Sequence, residues 1–76
     1  MIKAAIFGYG TVGSGIYEVL TRNSAVIQGK LGDRIEVKYV LDLREFPGDP
    51  VQDVLVHDVN TILDDEEVSI ICETMG

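Results

Sequence analysis

The stretch AIFGYGTVGSG, residues 5–15, sets four glycines, Gly8, Gly10, Gly13 and Gly15, into eight positions directly behind an apolar run. Glycine in the interior of a regular element is destabilising by roughly 0.5–1 kcal/mol relative to alanine. A cluster of this density therefore points to a backbone that something must approach closely. Upstream, IKAAIF (2–7) is a short continuous apolar run ending at glycine, the pattern of a strand buried on both faces of a parallel sheet. Downstream the period changes. Val12, Ile16, Val19 and Leu20, with Tyr17 beside them, fall at helical spacing and predict a helix from Val12 to about Asn23.

Beyond that helix, IEVKYVL (35–41) alternates and is rich in β-branched residues, which predicts a second strand. DLREFPGDP holds both prolines and Gly48, so 44–50 reads as a loop. DVLVHDV (53–59) is ambiguous, with a short strand one option. NTILDDEE (60–67) opens on an N-cap candidate, Asn60, and closes on four acids that read as a solvated face. VSIICETM (68–75) is a third strand. Strand, helix, strand, short helix, strand is the opening half of a doubly wound α/β domain with a parallel sheet.

Composition narrows the function. The chain has 76 residues, a formal net charge of -7 and a single cysteine. One small domain, or part of a larger one, is the most that length allows. The acidic balance disfavours nucleic acid and anionic membrane as partners. Charge is also unevenly spread: residues 1–34 carry a net +2 and residues 35–76 a net -9, so an anionic ligand belongs with the first half. A lone Cys72 excludes an internal disulfide and reads as a small buried hydrophobe. MIKAAIF is too short for a signal peptide and no run approaches the ~20 apolar residues of a membrane span, so a cytoplasmic location is expected.

Gly8, Gly10 and Gly13 match G-x-G-x-x-G at the predicted strand-to-helix junction. The first allows the tight turn, the second lets a pyrophosphate reach the backbone, and the third lets helix and strand pack closely. Phosphates would then meet free N–H groups at the positive end of the helix dipole. Gly15 reads as a further close-packing position. An acid, Asp42, ends the second strand, where a ribose hydroxyl could be bound; the segment SAVIQGKLGDR (24–34) accounts for its long separation from Gly13. A glycine turn of other purpose and a solvent-exposed Asp42 are the competing readings. His57 reads as a surface or turn residue, and Tyr17 and Tyr39 as packing residues.

The segments IFGYGTVGSGIYEVL, YVLDLREFPGDP and DDEEVSIICETMG together resemble the amino-terminal cofactor-binding segment of homoserine dehydrogenases. That resemblance implies an NAD(P)-dependent oxidoreductase interconverting aspartate semialdehyde and homoserine, in the biosynthesis of threonine, methionine and isoleucine. Residues 1–76 would be an incomplete NAD(P)-binding Rossmann domain, with the remaining strands and the substrate domain outside it, no catalytic residue of its own, and a homo-oligomer as the whole enzyme. By the same resemblance Gly8, Tyr9, Gly10, Thr11, Val12 and Gly13 line the pyrophosphate, and Thr74, Met75 and Gly76 lie beside the nicotinamide-side ribose. Glu73 is either a strand-end acid or a buried partner of loop amides. Relatives resembling NADPH users carry an arginine immediately before the strand-end acid. Leu41 stands there, which favours NAD over NADP, although Arg44, two residues past Asp42, could lie over the adenine or meet a 2′-phosphate. A nucleotide-sensing regulatory domain and a methyltransferase binding S-adenosylmethionine share the glycine loop and remain alternatives.

Overall fold

A computed structural model describes residues 2–22, 29, 32 and 34–74. Most of the 24–34 segment, and Met75 and Gly76, lie outside the described residues. The chain runs β1 (Ile2–Phe7), α1 (Thr11–Arg22), β2 (Ile35–Leu41), a 3-10 turn (Pro50–Val54), β3 (Leu55–Val56), α2 (Val59–Leu63) and β4 (Val68–Glu73). The described strands form one sheet in the order β3-β2-β1-β4, and every pairing is parallel. Chain order thus progresses outward on one side of β1 and then returns to its other side. That reversal is the hallmark of the doubly wound sheet, and it leaves a crevice between the carboxyl ends of β1 and β4.

β1 is most deeply buried because it has a neighbour on each edge: Ile6 lies opposite Val40 of β2 and Cys72 of β4. Ala4, Ala5 and Ile6 are closed to solvent. Ile6, Val37, Val40 and Val51 form the core, with Ile16, Tyr17 and Leu20 of α1, Phe46 and half-buried Cys72 packed around it. Val51 reaches the core because the Asp49 side chain caps the 3-10 turn, accepting from the Val51 N–H at 3.0 Å. The predicted 44–50 loop therefore ends in a built turn, and the ambiguous 53–59 stretch holds a two-residue strand.

The apolar set expected on one face of α1 is divided. Ile16 and Leu20 pack inward, while Val12 is 63% and Val19 50% exposed. Gly13 is the helix residue facing the sheet. At about 100° per residue, Val12 and Val19 both point well away from the Gly13 direction. Gly13 sets this rotation because a Cβ built on it would fall 2.0 Å from the Gly8 carbonyl oxygen. Gly15, expected to pack closely, is exposed and would meet nothing within 4 Å. That expectation is corrected.

Two further differences are local. The cap of α2 is Asp58, whose carboxylate accepts from the Asn60 N–H at 2.9 Å, so the helix starts ahead of the expected Asn60 cap. Nor are the acids at 64–67 a uniformly solvated face. Asp65 is largely buried, accepts from the Tyr39 hydroxyl at 2.7 Å and pairs with Lys38, which also bonds Glu67 at 2.7 Å. Those bonds, Lys38 first, hold the Asp65 carboxyl down to about 2. Tyr39 is thus a hydrogen-bonding residue as well as a packing one.

Gly13→Ala is expected to lower the thermal midpoint by roughly 10 °C or more, because overpacking against backbone costs at least ~1–3 kcal/mol. Gly15→Ala, with open space around it, is expected to raise the midpoint by a few degrees through helix propensity. Melting curves of the two variants check the pair; equal behaviour would contradict the assigned helix rotation.

Candidate functional site

The tight turn after β1 needs a backbone conformation that only glycine adopts freely: Gly8 has φ 99°. Its N–H donates to the Leu41 carbonyl at 2.7 Å, tying the turn to β2. From the other side the Thr74 hydroxyl donates to the Phe7 carbonyl at 2.7 Å and lies 3.1 Å from the Gly8 carbonyl oxygen, while the Thr74 N–H bonds Phe7 at 3.0 Å. The turn is therefore clamped between the two neighbours of β1, and Gly13 lies against its carbonyl. Gly10 has a different environment: a Cβ there would meet nothing within 4 Å. It opens α1, with the Ser14 N–H donating to its carbonyl at 2.9 Å. The first N–H groups of a helix lack intrahelical partners, and no acid stands in the first turn of α1. Space beside Gly10 thus adjoins the donor end of a twelve-residue helix.

A cleft lined by Gly8, Tyr9, Gly10, Asp42, Leu43, Arg44 and Thr74 crosses the carboxyl ends of β1, β2 and β4. All but Leu43 are expected site residues, brought together across 66 positions of chain. Thr11 and Val12, at the exposed start of α1, line a shallow apolar groove along one side of the helix with Gly15, Ile16, Val19 and Leu20. Met75 and Gly76 are outside the described residues. Glu73 is exposed at the end of β4, which removes its reading as a buried partner.

Asp42 is 7% exposed, the one buried charged residue among the described residues. Its Oδ1 accepts from the Arg44 N–H at 2.9 Å and Arg44 Nε at 3.0 Å, and its Oδ2 from the Tyr9 N–H and Arg44 Nη2, each at 2.9 Å. Two donors per oxygen fill a carboxylate's acceptor sites. The Arg44 side-chain bonds, and then the backbone amides of Arg44 and Tyr9, hold the Asp42 carboxyl well below the ordinary range against the opposing effect of burial. Asp42 is therefore not a free acid in solvent. Arg44, whose side chain is 61% exposed, folds back over Asp42 with its guanidinium carbon 5.2 Å from the Phe46 ring centroid. A ribose hydroxyl would have to displace it.

Tyr9 joins the two loops. Beyond its amide bond to Asp42, its hydroxyl faces the Asp49 carboxylate at 3.3 and 3.4 Å, and its ring meets Tyr17 and Phe46 edge-on at 5.8 and 4.9 Å. Burial first, and Asp49 second, push its phenol pKa up.

His57 is exposed, as expected of a turn residue, but it is engaged. Its Nδ1 lies 2.7 Å from the Asp42 carbonyl oxygen and its Nε2 2.6 Å from a Glu45 carboxylate oxygen. Glu45 in turn bonds the Gln52 side chain, whose carbonyl accepts from the Phe46 N–H at 2.7 Å. Fifteen residues separate Asp42 from His57, too far for a local pattern. The signal lies in pairing: Leu41 is opposite Val56 in parallel register, so the residues that follow them emerge side by side. Among the described residues no group of histidine, cysteine and acidic side chains could hold a metal ion. No described helix is long and apolar enough to cross a membrane.

No protein-family model matches the chain. It is 30% identical over 77 residues to the homoserine dehydrogenase of Helicobacter pylori and 30% identical over 78 residues to that of Bacillus subtilis, in each case covering 99% of this chain and 18% of the relative. Among solved structures, Staphylococcus aureus homoserine dehydrogenase superposes with a TM-score of 0.84 at 37% identity, over 99% of this chain and 20% of that one. A probable oxidoreductase at 17% identity and TM-score 0.70 shares the fold. The chain spans about a fifth of the length of these relatives, and over nearly all its own length it is similar to the amino-terminal, Rossmann-type segment of the homoserine dehydrogenases.

Proposed function

We propose that the chain binds the dinucleotide of a homoserine dehydrogenase, as the amino-terminal cofactor segment of that NAD(P)-dependent oxidoreductase. The observation carrying this reading is the pair of opposite glycines: Gly13 locks helix to turn, and Gly10 leaves open space at the helix's donor end. That space admits a pyrophosphate, and the helix dipole with its free N–H groups favours one. The residues present fit the group. Gly8, Tyr9, Gly10, Thr11, Val12 and Gly13 form the pyrophosphate turn, and Thr74, Met75 and Gly76 stand at the nicotinamide end. Asp42 takes the adenosine ribose once Arg44 swings aside; Leu43, 81% exposed at the lip, offers the adenine an apolar surface.

When bound, the nicotinamide would donate a hydride to reduce aspartate semialdehyde to homoserine and, in its oxidised form, accept one in the reverse direction. Residues 1–76 bind and orient; the substrate is held by other parts of the whole enzyme, in which we also place homo-oligomer formation and a cytoplasmic role in amino-acid biosynthesis. His57, Tyr17 and Tyr39 each face a neighbouring side chain, and the proposal gives none of them a role on the substrate.

Gly10→Val is expected to abolish dinucleotide binding in the whole protein while leaving its melting temperature within a few degrees of wild type, because the added atoms enter ligand space and no protein contact. Calorimetry and a melting curve check both halves; retained micromolar affinity would remove the proposal. Binding of dinucleotide with no turnover of homoserine would instead favour a nucleotide-sensing role.

For cofactor choice, Asp42 accepts hydroxyls and repels phosphate, so NAD is expected to be preferred over NADP, and Arg44→Ala to widen the preference by removing the one cation of the cleft lip. Catalytic efficiencies with both cofactors check this. A wild-type preference for NADP above about tenfold, roughly 1.4 kcal/mol, erased by Arg44→Ala, would reverse the assignment.

A further inference from the structure

The histidine below the cleft poses a problem of protons. Both atoms that its ring nitrogens face, the Asp42 carbonyl oxygen at 2.7 Å and a Glu45 carboxylate oxygen at 2.6 Å, are acceptors only. A neutral imidazole carries one N–H and can serve one of them. Both bonds together require a hydrogen on each nitrogen. The two anchored residues bracket Leu43 and Arg44, which line the lip of the cleft.

We propose that His57 is a positioning residue for the adenosine end of the cleft: as an imidazolium it ties the Asp42 carbonyl to the Glu45 carboxylate, holds the Leu43–Arg44 turn between them, and releases that turn as pH rises. This rests on the dinucleotide reading above. The charged groups acting on the ring are Glu45, which also accepts from Gln52, and Asp42, whose own carboxylate is occupied by Arg44. The bond to the Asp42 carbonyl, then that to Glu45, raise the His57 pKa above its usual value near 6.5. A raised pKa means the brace is fully present below the unfolded-state value and is lost as pH climbs through the folded one. Losing it leaves a turn that must be ordered at the moment of binding, which weakens affinity. It also leaves Glu45 as an uncompensated negative charge near the lip, unfavourable for an anionic ligand.

The first test is ring-nitrogen NMR of the whole protein without ligand. Both His57 nitrogens should be protonated at pH 6, with one proton leaving at a pKa above about 6.5. The second is NADH affinity by calorimetry from pH 6 to pH 9. Wild type should weaken about three- to tenfold across the His57 titration, the scale of one lost hydrogen bond. His57→Gln keeps its N–H donors on a single nitrogen and never ionises, so it cannot donate from two separate ring positions and should bind weakly throughout with no step. His57→Arg keeps several donors and its charge, so it should retain tight binding at pH 9. A merely structural histidine would move none of these pH profiles. A ring already neutral at pH 6, a flat wild-type profile, or a step surviving in His57→Gln overturns the brace while leaving the dinucleotide reading intact. No NADH binding at any pH removes both.

Discussion

Everything that faces the cleft depends on the contact between Gly13 and the Gly8 carbonyl. With no room there for even one carbon, the helix backbone lies directly on the turn, and three consequences follow from that closeness. The helix is rotated so that Ile16 and Leu20 meet the core and Val12 and Val19 do not. Its donor end is aimed at the space beside Gly10. And the Gly8 carbonyl is left facing Thr74, whose hydroxyl joins the turn to β4. A side chain at Gly13 would disturb all three at once, because they share one backbone.

Asp42 is the second hub, and its chemistry differs because it is a charge kept out of water. Burying a carboxylate is costly unless donors replace its hydration. Here two backbone amides and a two-pronged guanidinium do so. The amides belong to rigid structure: Tyr9 to the glycine turn, Arg44 to the turn after β2. The guanidinium is on an exposed, rotatable side chain. Of the four bonds, the two side-chain ones are the ones a ligand can replace. Hydroxyl donors of a ribose would fill the sites Arg44 vacates, so the aspartate need never be left bare. The same exchange explains why one acid can serve both as a structural hub and as a ligand group.

The fold and the glycine turn were legible in the sequence because their causes are local. Continuous apolar strands, a change of period at Val12 and glycines at fixed offsets each act within a few residues. Strand ends at Phe7 and Leu41 fall where the pattern changes. What escaped depends on contacts between distant segments. Gly15 shares the residue type of Gly13, and only the neighbour across from each, the Gly8 carbonyl or open space, separates packing from none. The acids at 64–67 look like a solvated run until Lys38 and Tyr39 are brought against Asp65 by the pairing of β4 with β1 and β1 with β2. His57 sits beside Asp42 solely because a two-residue strand, too short to be decided by periodicity, pairs with β2. Arg44 had two open roles toward a ligand, and its third, as partner of the acid two residues earlier, arises from a turn that no propensity prescribes.

A chain of net charge -7 would have to neutralise itself locally to take the anionic ligand proposed above. The cleft does this in two ways. Around the cleft lip, Asp42 is matched by Arg44 at contact distance, and Glu45 faces His57, which would match it as an imidazolium. Four other acids of the second half are turned to other tasks, Asp49 and Asp58 capping short helices and Asp65 and Glu67 holding Lys38. At the glycine turn no side-chain cation stands among the described lining residues, so attraction for an anion would fall to the helix terminus, which is why the absence of any acid in its first turn matters. An aspartate or glutamate there would stabilise an ordinary helix. On the dinucleotide reading it would occupy the position of a phosphate, so the segment gives up a common helix-stabilising device in the place where the proposed anion would bind.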